Sequence, residues 1–255
     1  MSICHASIVC SLSLTLLGAA SAQPLPPYSA ERTALFNLGA RVDLPDFGTL
    51  ALSDARFGSI LVDASGSPAP SLHAQALIGP NLDAGIFGRG SALLNYRFEV
   101  IGPQGPVPVQ VDVRGLVSGS ANAGASFAVE SFWSLFAGTL DPLAGEDLRS
   151  GQIFNGAFDQ AFARTVDLTL VANLPYTVSM LADAQAAATA AGSGAAASAF
   201  VDPVFRLGVG VDPDLYSLRF SAGIGNTAAV PEPPSVLVVI LGLVAVTARR
   251  WPNST

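Results

Sequence analysis

Ala92-Leu93-Leu94-Asn95-Tyr96-Arg97-Phe98-Glu99-Val100 and, beyond Gly102-Pro103-Gln104-Gly105-Pro106, Val107-Pro108-Val109-Gln110-Val111-Asp112-Val113 are the stretches that decide the fold class. In the first, Ala92, Leu94, Tyr96, Phe98 and Val100 share one parity while Asn95, Arg97 and Glu99 take the other. In the second, four valines alternate with Pro108, Gln110, Asp112 and then Arg114. Successive strand side chains point to opposite faces, so this period of two describes strands with one buried and one wetter face. The Gly-Pro segment between them reads as the connection of a hairpin.

Working outward, the same signal recurs over 125–135, 163–172, 176–182, 205–211 and 216–220, with Gly, Pro and Asn between the runs. Many short alternating runs predict antiparallel sheets packed face to face, an all-β single antiparallel β-sandwich. Residues 182–200 are rich in Ala and compatible with helix by propensity. The parity of Tyr176, Val178, Met180, Ala182 and Ala184 favours two small-residue strands around Ala191-Gly192-Ser193-Gly194 instead, with a helix as the alternative. Residues 30–54 and 141–150 are less periodic, and short helices or loops are expected there. The glycines of 85–90 and 115–119 read as turns, since neither group opens a helix after a parallel strand as a phosphate cradle requires.

The two ends of the chain have a different character. Residues 8–19 are a compact apolar stretch, and Ala20-Ser21-Ala22 supplies the small residues of a signal-peptidase site, so residues 1–22 read as a signal peptide cut between Ala22 and Gln23. At the other end, Pro231-Glu232-Pro233 precedes an apolar run over 235–248, and Arg249 and Arg250 follow it. About 14 helical residues at ~1.5 Å each cover about 21 Å of a ~30 Å hydrocarbon core, and the two arginines mark the cytoplasmic side. A buried core helix is the competing reading, but it would alternate polar and apolar faces.

This layout of Pro-Glu-Pro, short hydrophobic helix and basic stop resembles the PEP-CTERM sorting domain. The resemblance implies an exported substrate of exosortase, an intramembrane protease-transpeptidase, with a sorting segment at 230–255. Looser points of likeness lie in the body: Tyr96 and its run, Asn173-Leu174-Pro175-Tyr176, Val201-Asp202-Pro203, and 220–226 before the tail. They imply a jelly-roll-like body over 23–229 and supply no chemistry.

Charge and composition narrow the function further. The chain carries 12 basic residues, all of them Arg, against 19 acidic ones. Ten of the arginines and eighteen of the acids fall between the targeting segments, which leaves the body at about −8. Nucleic-acid affinity rests on clustered cations neutralising phosphates, so no nucleic acid is expected as partner. Both Cys residues, Cys4 and Cys10, lie in the signal peptide, so the body has neither a disulfide framework nor a thiolate metal site.

Few groups remain for a site. His73 is the sole His beyond the signal peptide, and its neighbours Ser71-Leu72-His73-Ala74-Gln75 place it on a strand, partly buried or exposed. Whether a nucleophile and a carboxylate touch it, as a triad requires, is not legible from spacing. Asp202, Asp212 and Asp214 are candidates for calcium, a hard cation that takes loop carboxylates, although Asp-Pro is also an ordinary turn initiator. Asp141, Glu146 and Asp147 read as a solvated acidic loop. Phe127, Phe132, Trp133 and Phe136 are either core or a stacking platform for sugars. No cofactor is expected.

The expected function is an exported, non-enzymatic structural or adhesive protein of the cell surface or extracellular polysaccharide matrix. It would be held transiently in the inner membrane by its tail. A carbohydrate-binding or calcium-dependent module is the alternative. An exported hydrolase ranks third, with carboxylates or a serine-based arrangement as its catalytic groups.

Overall fold

Alternating burial along long strands organises the whole body. The computed structural model describes residues 24–36, 40–80, 85–138 and 142–226; the signal peptide and the sorting segment lie outside them. Among the described residues there are fourteen strands and no helix. One antiparallel sheet contains β1 (Ser29–Phe36), β2 (Ala40–Pro45), β6 (Ile86–Ile101), β8 (Ala125–Phe136), β9 (Pro142–Arg149), β10 (Ile153–Phe154), β12 (Pro175–Ala188) and β14 (Ser217–Phe220). Its spine runs β10-β8-β12-β6-β1-β2, with β9 also pairing β8 and β14 also pairing β6. The second sheet has the order β11-β7-β13-β5-β4-β3, from β3 (Gly48–Asp54), β4 (Gly58–Ser65), β5 (Ser71–Ile78), β7 (Pro106–Ala121), β11 (Ala157–Val171) and β13 (Ala195–Leu207). Two antiparallel sheets enclosing one core make a β-sandwich, as the alternation predicts.

The parity read in the sequence is the parity of burial. Leu94, Tyr96, Phe98 and Val100 of β6 and Val107, Val109, Val111 and Val113 of β7 are all at most 1% exposed. The expected hairpin, however, is not there. β6 pairs with β12, β1 and β14, whereas β7 pairs with β11 and β13 in the opposite sheet. Residues 102–105 therefore carry the chain across the core from one sheet to the other. Two apolar faces can lie side by side in one sheet or face each other across the core, and alternation is the same in both cases. Here Gly102 and Gly105, each at φ 156°, turn the chain between layers. Asn173 holds that corner, donating through Nδ2 to the Gly102 carbonyl at 2.8 Å.

The small-residue segment folds as two strands. β12 and β13 flank a turn over 189–194, where Ser193 bonds Ala190 and the Asn122 side chain accepts from the Gly194 N–H at 2.8 Å. Ala182, Ala184, Ala186, Ala197 and Ala199 are buried, so the sheets approach closely where these methyls meet. Three expectations are corrected. The region 30–54 forms β1, β2 and β3 in place of helices or loops, and Pro142–Arg149 forms β9. Gly88, Gly90, Gly115 and Gly119 lie inside β6 and β7 and are not turns. They are small because neighbours occupy the space. A Cβ on Gly90 would sit 3.0 Å from both Ile60 and Val62, and one on Gly119 would sit 2.2 Å from the Phe127 ring.

Trp133, Tyr96, Phe98, Phe127 and Phe205 are among the largest fully buried side chains, and the Phe98 and Phe205 rings lie 4.4 Å apart. Ser131, buried on β8, donates to the Phe200 carbonyl at 2.7 Å and ties one sheet to the other through the core.

Candidate functional site

The residues singled out in the sequence do not converge. Asp202 lies on β13 directly opposite Arg114 of β7. Asp212 and Asp214 sit in the exposed loop after β13, where the Asp212 carboxylate accepts from the Asp214 N–H at 2.9 Å, an Asx turn. Among the described residues no group of three His, Cys, Asp or Glu side chains is placed to hold a metal ion. Glu146 and Asp147 lie on strand β9, not in a loop, and are ion-paired to Arg164 and Arg149. Asp141 lies outside the described residues, as do Ala22, Gln23, Pro231, Glu232, Pro233, Arg249 and Arg250.

The aromatic cluster divides by parity. Phe127 and Trp133 face the core at 1% and 0% exposure, so Trp133 offers no surface for stacking sugars. Phe132 and Phe136 are half-buried on the outer face of the same strand.

That outer face of the eight-stranded sheet carries a polar ladder. Thr33, Ser91, Asp183, Glu130 and Arg149 are successive register partners on β1, β6, β12, β8 and β9. Asp183 is 4% exposed yet ionic: Arg89 Nε lies 2.6 Å from its Oδ2, and Gln185 donates to its Oδ1 at 2.8 Å. Burial, and then the charges of Asp147 and Asp183, hold the Glu130 carboxyl above the usual range. Shallow cavities of 170 Å³ beside Gln185 and 260 Å³ beside Arg89 flank the ladder. Like charges opposed across strands destabilise a sheet, and Arg89 and Arg149 offset that here.

The outer face of the six-stranded sheet is more open. His73 is half-buried on β5, and its Nε2 lies 3.3 Å from Ser198 Oγ on β13. Asp63 is the register partner of His73 on β4, but its carboxylate accepts from Thr49 at 2.7 Å. Burial lowers the His73 pKa from its ordinary value, opposed by the Asp63 charge. Small side chains on β7 and β13 leave a groove of 520 Å³ lined by Gln75, Ser118, Ser198 and Asp159. It adjoins a second of 400 Å³ through Leu77, Ser120 and Ala196, which line both. Further along β7, a cleft of 260 Å³ is lined by Asp112, Arg114, Thr165 and Arg206, while neighbouring Arg164 has the core-side parity of Val113 and is ion-paired to Glu146 of the other sheet. None of these grooves was legible in the sequence, because each joins residues from three or four strands.

The two ends of the described chain meet. Ser221 Oγ donates to the Pro26 carbonyl at 2.7 Å and accepts from the Arg97 N–H at 3.0 Å. Asn226 donates to the Phe205 carbonyl at 2.6 Å and accepts from its N–H at 2.8 Å. Eleven residues of β6 separate Arg97 from Ile86, about 36 Å at ~3.3 Å per residue. The turns at 122–124 and 189–194 lie at that remote end, next to Gly85.

No family model and no curated protein matches the chain. Among solved structures it aligns with "Structure of infectious bursal disease virus Gx strain" at 10% identity and a TM-score of 0.25, covering 88% of this chain and 69% of that one. It also aligns with "Crystal structure of infectious bursal disease virus VP2 subviral particle" at 9% identity and a TM-score of 0.17, covering 89% and 71%. Scores this low carry no argument about function.

Proposed function

We propose that the protein is an exported, non-enzymatic structural or adhesive component of the cell surface or extracellular matrix. The observation that supports this most is the meeting of the chain ends at Pro26 and Ser221. On this reading the signal peptide, 1–22, and the sorting segment, 230–255, leave the sandwich from one place. The body then stands with its far turns and both outer faces presented away from the membrane. The tail is the exosortase substrate: Pro231-Glu232-Pro233 is the recognition element at the membrane face, 235–248 the transient anchor, and Arg249 and Arg250 its cytoplasmic stop. The crossing of the chain between sheets after β6, β7 and β12 accords with a jelly-roll-like wrapping.

Expression in a host with an outer membrane and an exosortase, followed by mass measurement of cell-bound and released protein, tests this. The expected released form begins at Gln23 and lacks 235–248. Released protein that retains 235–248 overturns the sorting reading, and retention of 1–22 overturns the signal peptide.

A second reading, an exported hydrolase, draws on the contact between His73 Nε2 and Ser198 Oγ at 3.3 Å beside the 520 Å³ groove. A serine within reach of a neutral imidazole is the start of a nucleophile–base pair. A fluorophosphonate probe that labels wild type and not Ser198→Ala supports it; an unlabelled wild type removes it.

A further inference from the structure

We propose that β11 is an open edge through which two copies of this chain pair, antiparallel and about a two-fold axis at Thr165, so that the six-stranded sheet continues from one molecule into the next. The inference goes beyond the reading above, since it stands on the strand edges alone and names a second copy as the partner of the body.

A sheet edge exposes unpaired N–H and C=O groups, and proteins ordinarily close such edges with short strands, proline or bulges. Three of the four edges here are closed in that way. β3 has 7 residues, and β2 has 6 and ends at Pro45. β8 is flanked by the two-residue β10 and by β9, which opens at Pro142 across a register shift between Leu135 and Phe136. β11 is the exception, with 15 residues, no Pro or Gly, and an unbroken register against β7. No other described strand pairs with it. Just beyond the ladder, the Ala172 N–H donates to the Gly105 carbonyl at 2.9 Å, and the Gly156 carbonyl accepts from Ala121 at 2.8 Å. Antiparallel bonding alternates, so the even-numbered residues of β11 bond to β7. The odd-numbered ones, from Ala157 to Val171, direct both backbone groups outward. Leu143, Phe154, Val171 and Leu174, all exposed, lie on or beside the strands of this side.

Length and charge choose the partner. The other edges offer at most the 8 residues of β9, so within this chain only a second β11 matches the whole of the first. In a sheet continued through a two-fold axis, directly opposed residues share a face, and like charges opposed are destabilising. Pairing over the full 157–171 overlap puts Arg164 opposite itself, and centring on Ala163 puts Asp159 opposite Asp167. Centring on Thr165 opposes no like charges. Thr165 then meets Thr165, Ala163 meets Asp167 and Ala161 meets Thr169, while on the core-side parity Phe162 meets Leu168. The odd-numbered residues from Asp159 to Val171 complete each other's backbone hydrogen bonds. The axis also turns the second copy end for end. The chain ends leave beside Arg97, towards the end of β6 that leads through 102–105 to Pro106, the register partner of Val171. In the pair, the two sets of chain ends therefore point away from each other. Displayed bodies that pair in this way join two facing surfaces.

The test is sedimentation of the purified full chain in detergent micelles over a concentration series, with the protein mass separated from that of the detergent. A concentration-dependent dimer is expected. Ala163→Asp sets a carboxylate opposite Asp167 of the second copy at two symmetric places, yet beside Arg114 within its own sheet. It is expected to weaken the dimer at least about threefold, and adding Asp167→Lys is expected to restore it. Thr165→Pro removes an outward N–H and no bond to β7, and is expected to abolish the dimer. With Cys4→Ser and Cys10→Ser in place, Thr165→Cys is expected to form an interchain disulfide on oxidation, because the Cα atoms of a hydrogen-bonded pair lie about 5.5 Å apart. Thr169→Cys, which faces Ala161, is expected to form none. A monomer at every concentration, a dimer unchanged by Ala163→Asp and Thr165→Pro, or cross-linking of Thr169→Cys in place of Thr165→Cys overturns the proposal. Export and sorting are read from mature mass and location, so failure here leaves that reading standing, and failure there is visible without sedimentation.

Discussion

Replacing Asp202 by Asn is expected to stabilise the protein at neutral pH and to do so less in acid. Asp202 lies on β13 with Oδ1 buried and without a hydrogen-bond partner among the described residues. Burial raises its pKa from 3.8 to about 6, against the opposing Arg114 charge and an Arg114 backbone hydrogen bond. The folded pKa thus exceeds the unfolded one, so the ionised form is the one the fold disfavours. Above pH 6 both states are ionised and the full penalty is present; as pH falls the folded state takes up its proton first, and the penalty fades below the unfolded pKa near ~3.9. About two pKa units correspond to roughly 3 kcal/mol, and partial exposure of the group reduces this to roughly 1–1.5 kcal/mol. Asn keeps the shape and carries no charge. Urea unfolding of wild type and Asp202→Asn should therefore differ by about 1 kcal/mol in favour of the variant at pH 7.5, or ~2–4 °C in Tm. At pH 4.5 the difference should shrink to about a third. Taking wild type and variant together cancels the opposing titration of His73. A variant less stable at pH 7.5, or a gain that is the same at both pH values, refutes the reasoning.

Three further outcomes follow from packing and charge. Gly58→Ala should cost about 2–4 kcal/mol of unfolding free energy, because φ is +125° there and a Cβ would lie 1.9 Å from the Leu77 carbonyl oxygen; chemical denaturation reads it. Trp133→Ala should cost about 3–5 kcal/mol from the cavity left at a fully buried site, and Trp133→Phe clearly less, since Trp133 Nε1 has no hydrogen-bond partner among the described residues to lose. Arg89→Ala should cost about 2 kcal/mol by leaving the buried Asp183 carboxylate with Gln185 alone, a figure reduced from a fully buried pair because Arg89 is 43% exposed. Adding Asp183→Asn to that variant should recover most of the loss, and a double-mutant cycle that shows simple additivity contradicts the pairing.

What the sequence determined by itself is local. The alternation of Tyr96-Arg97-Phe98-Glu99 or Val109-Gln110-Val111-Asp112 is enforced within each strand by backbone geometry, so strand character and the buried parity were legible before any contact was known. Even the Ala-rich 182–200 segment declared itself through the parity it shares with Tyr176 and Val178. The tertiary structure alone decided which strands pair. β6 and β7 look like a hairpin because both have one apolar face and a short Gly-Pro connection, yet β12 and β13 occupy the positions beside them, and those partners come from 70 or more residues later in the chain. Gly88, Gly90 and Gly119 reveal themselves as strand residues only once Ile60, Val62 and Phe127 fill the space a side chain would take. The same holds for the surface. Arg114, Thr165 and Arg206 belong to three strands and line one cleft because β7 lies between β11 and β13. Nothing in the spacing of these three residues over about ninety positions encodes that meeting, since strand order is set by burial of the whole core and not by the polar residues it carries to the outside.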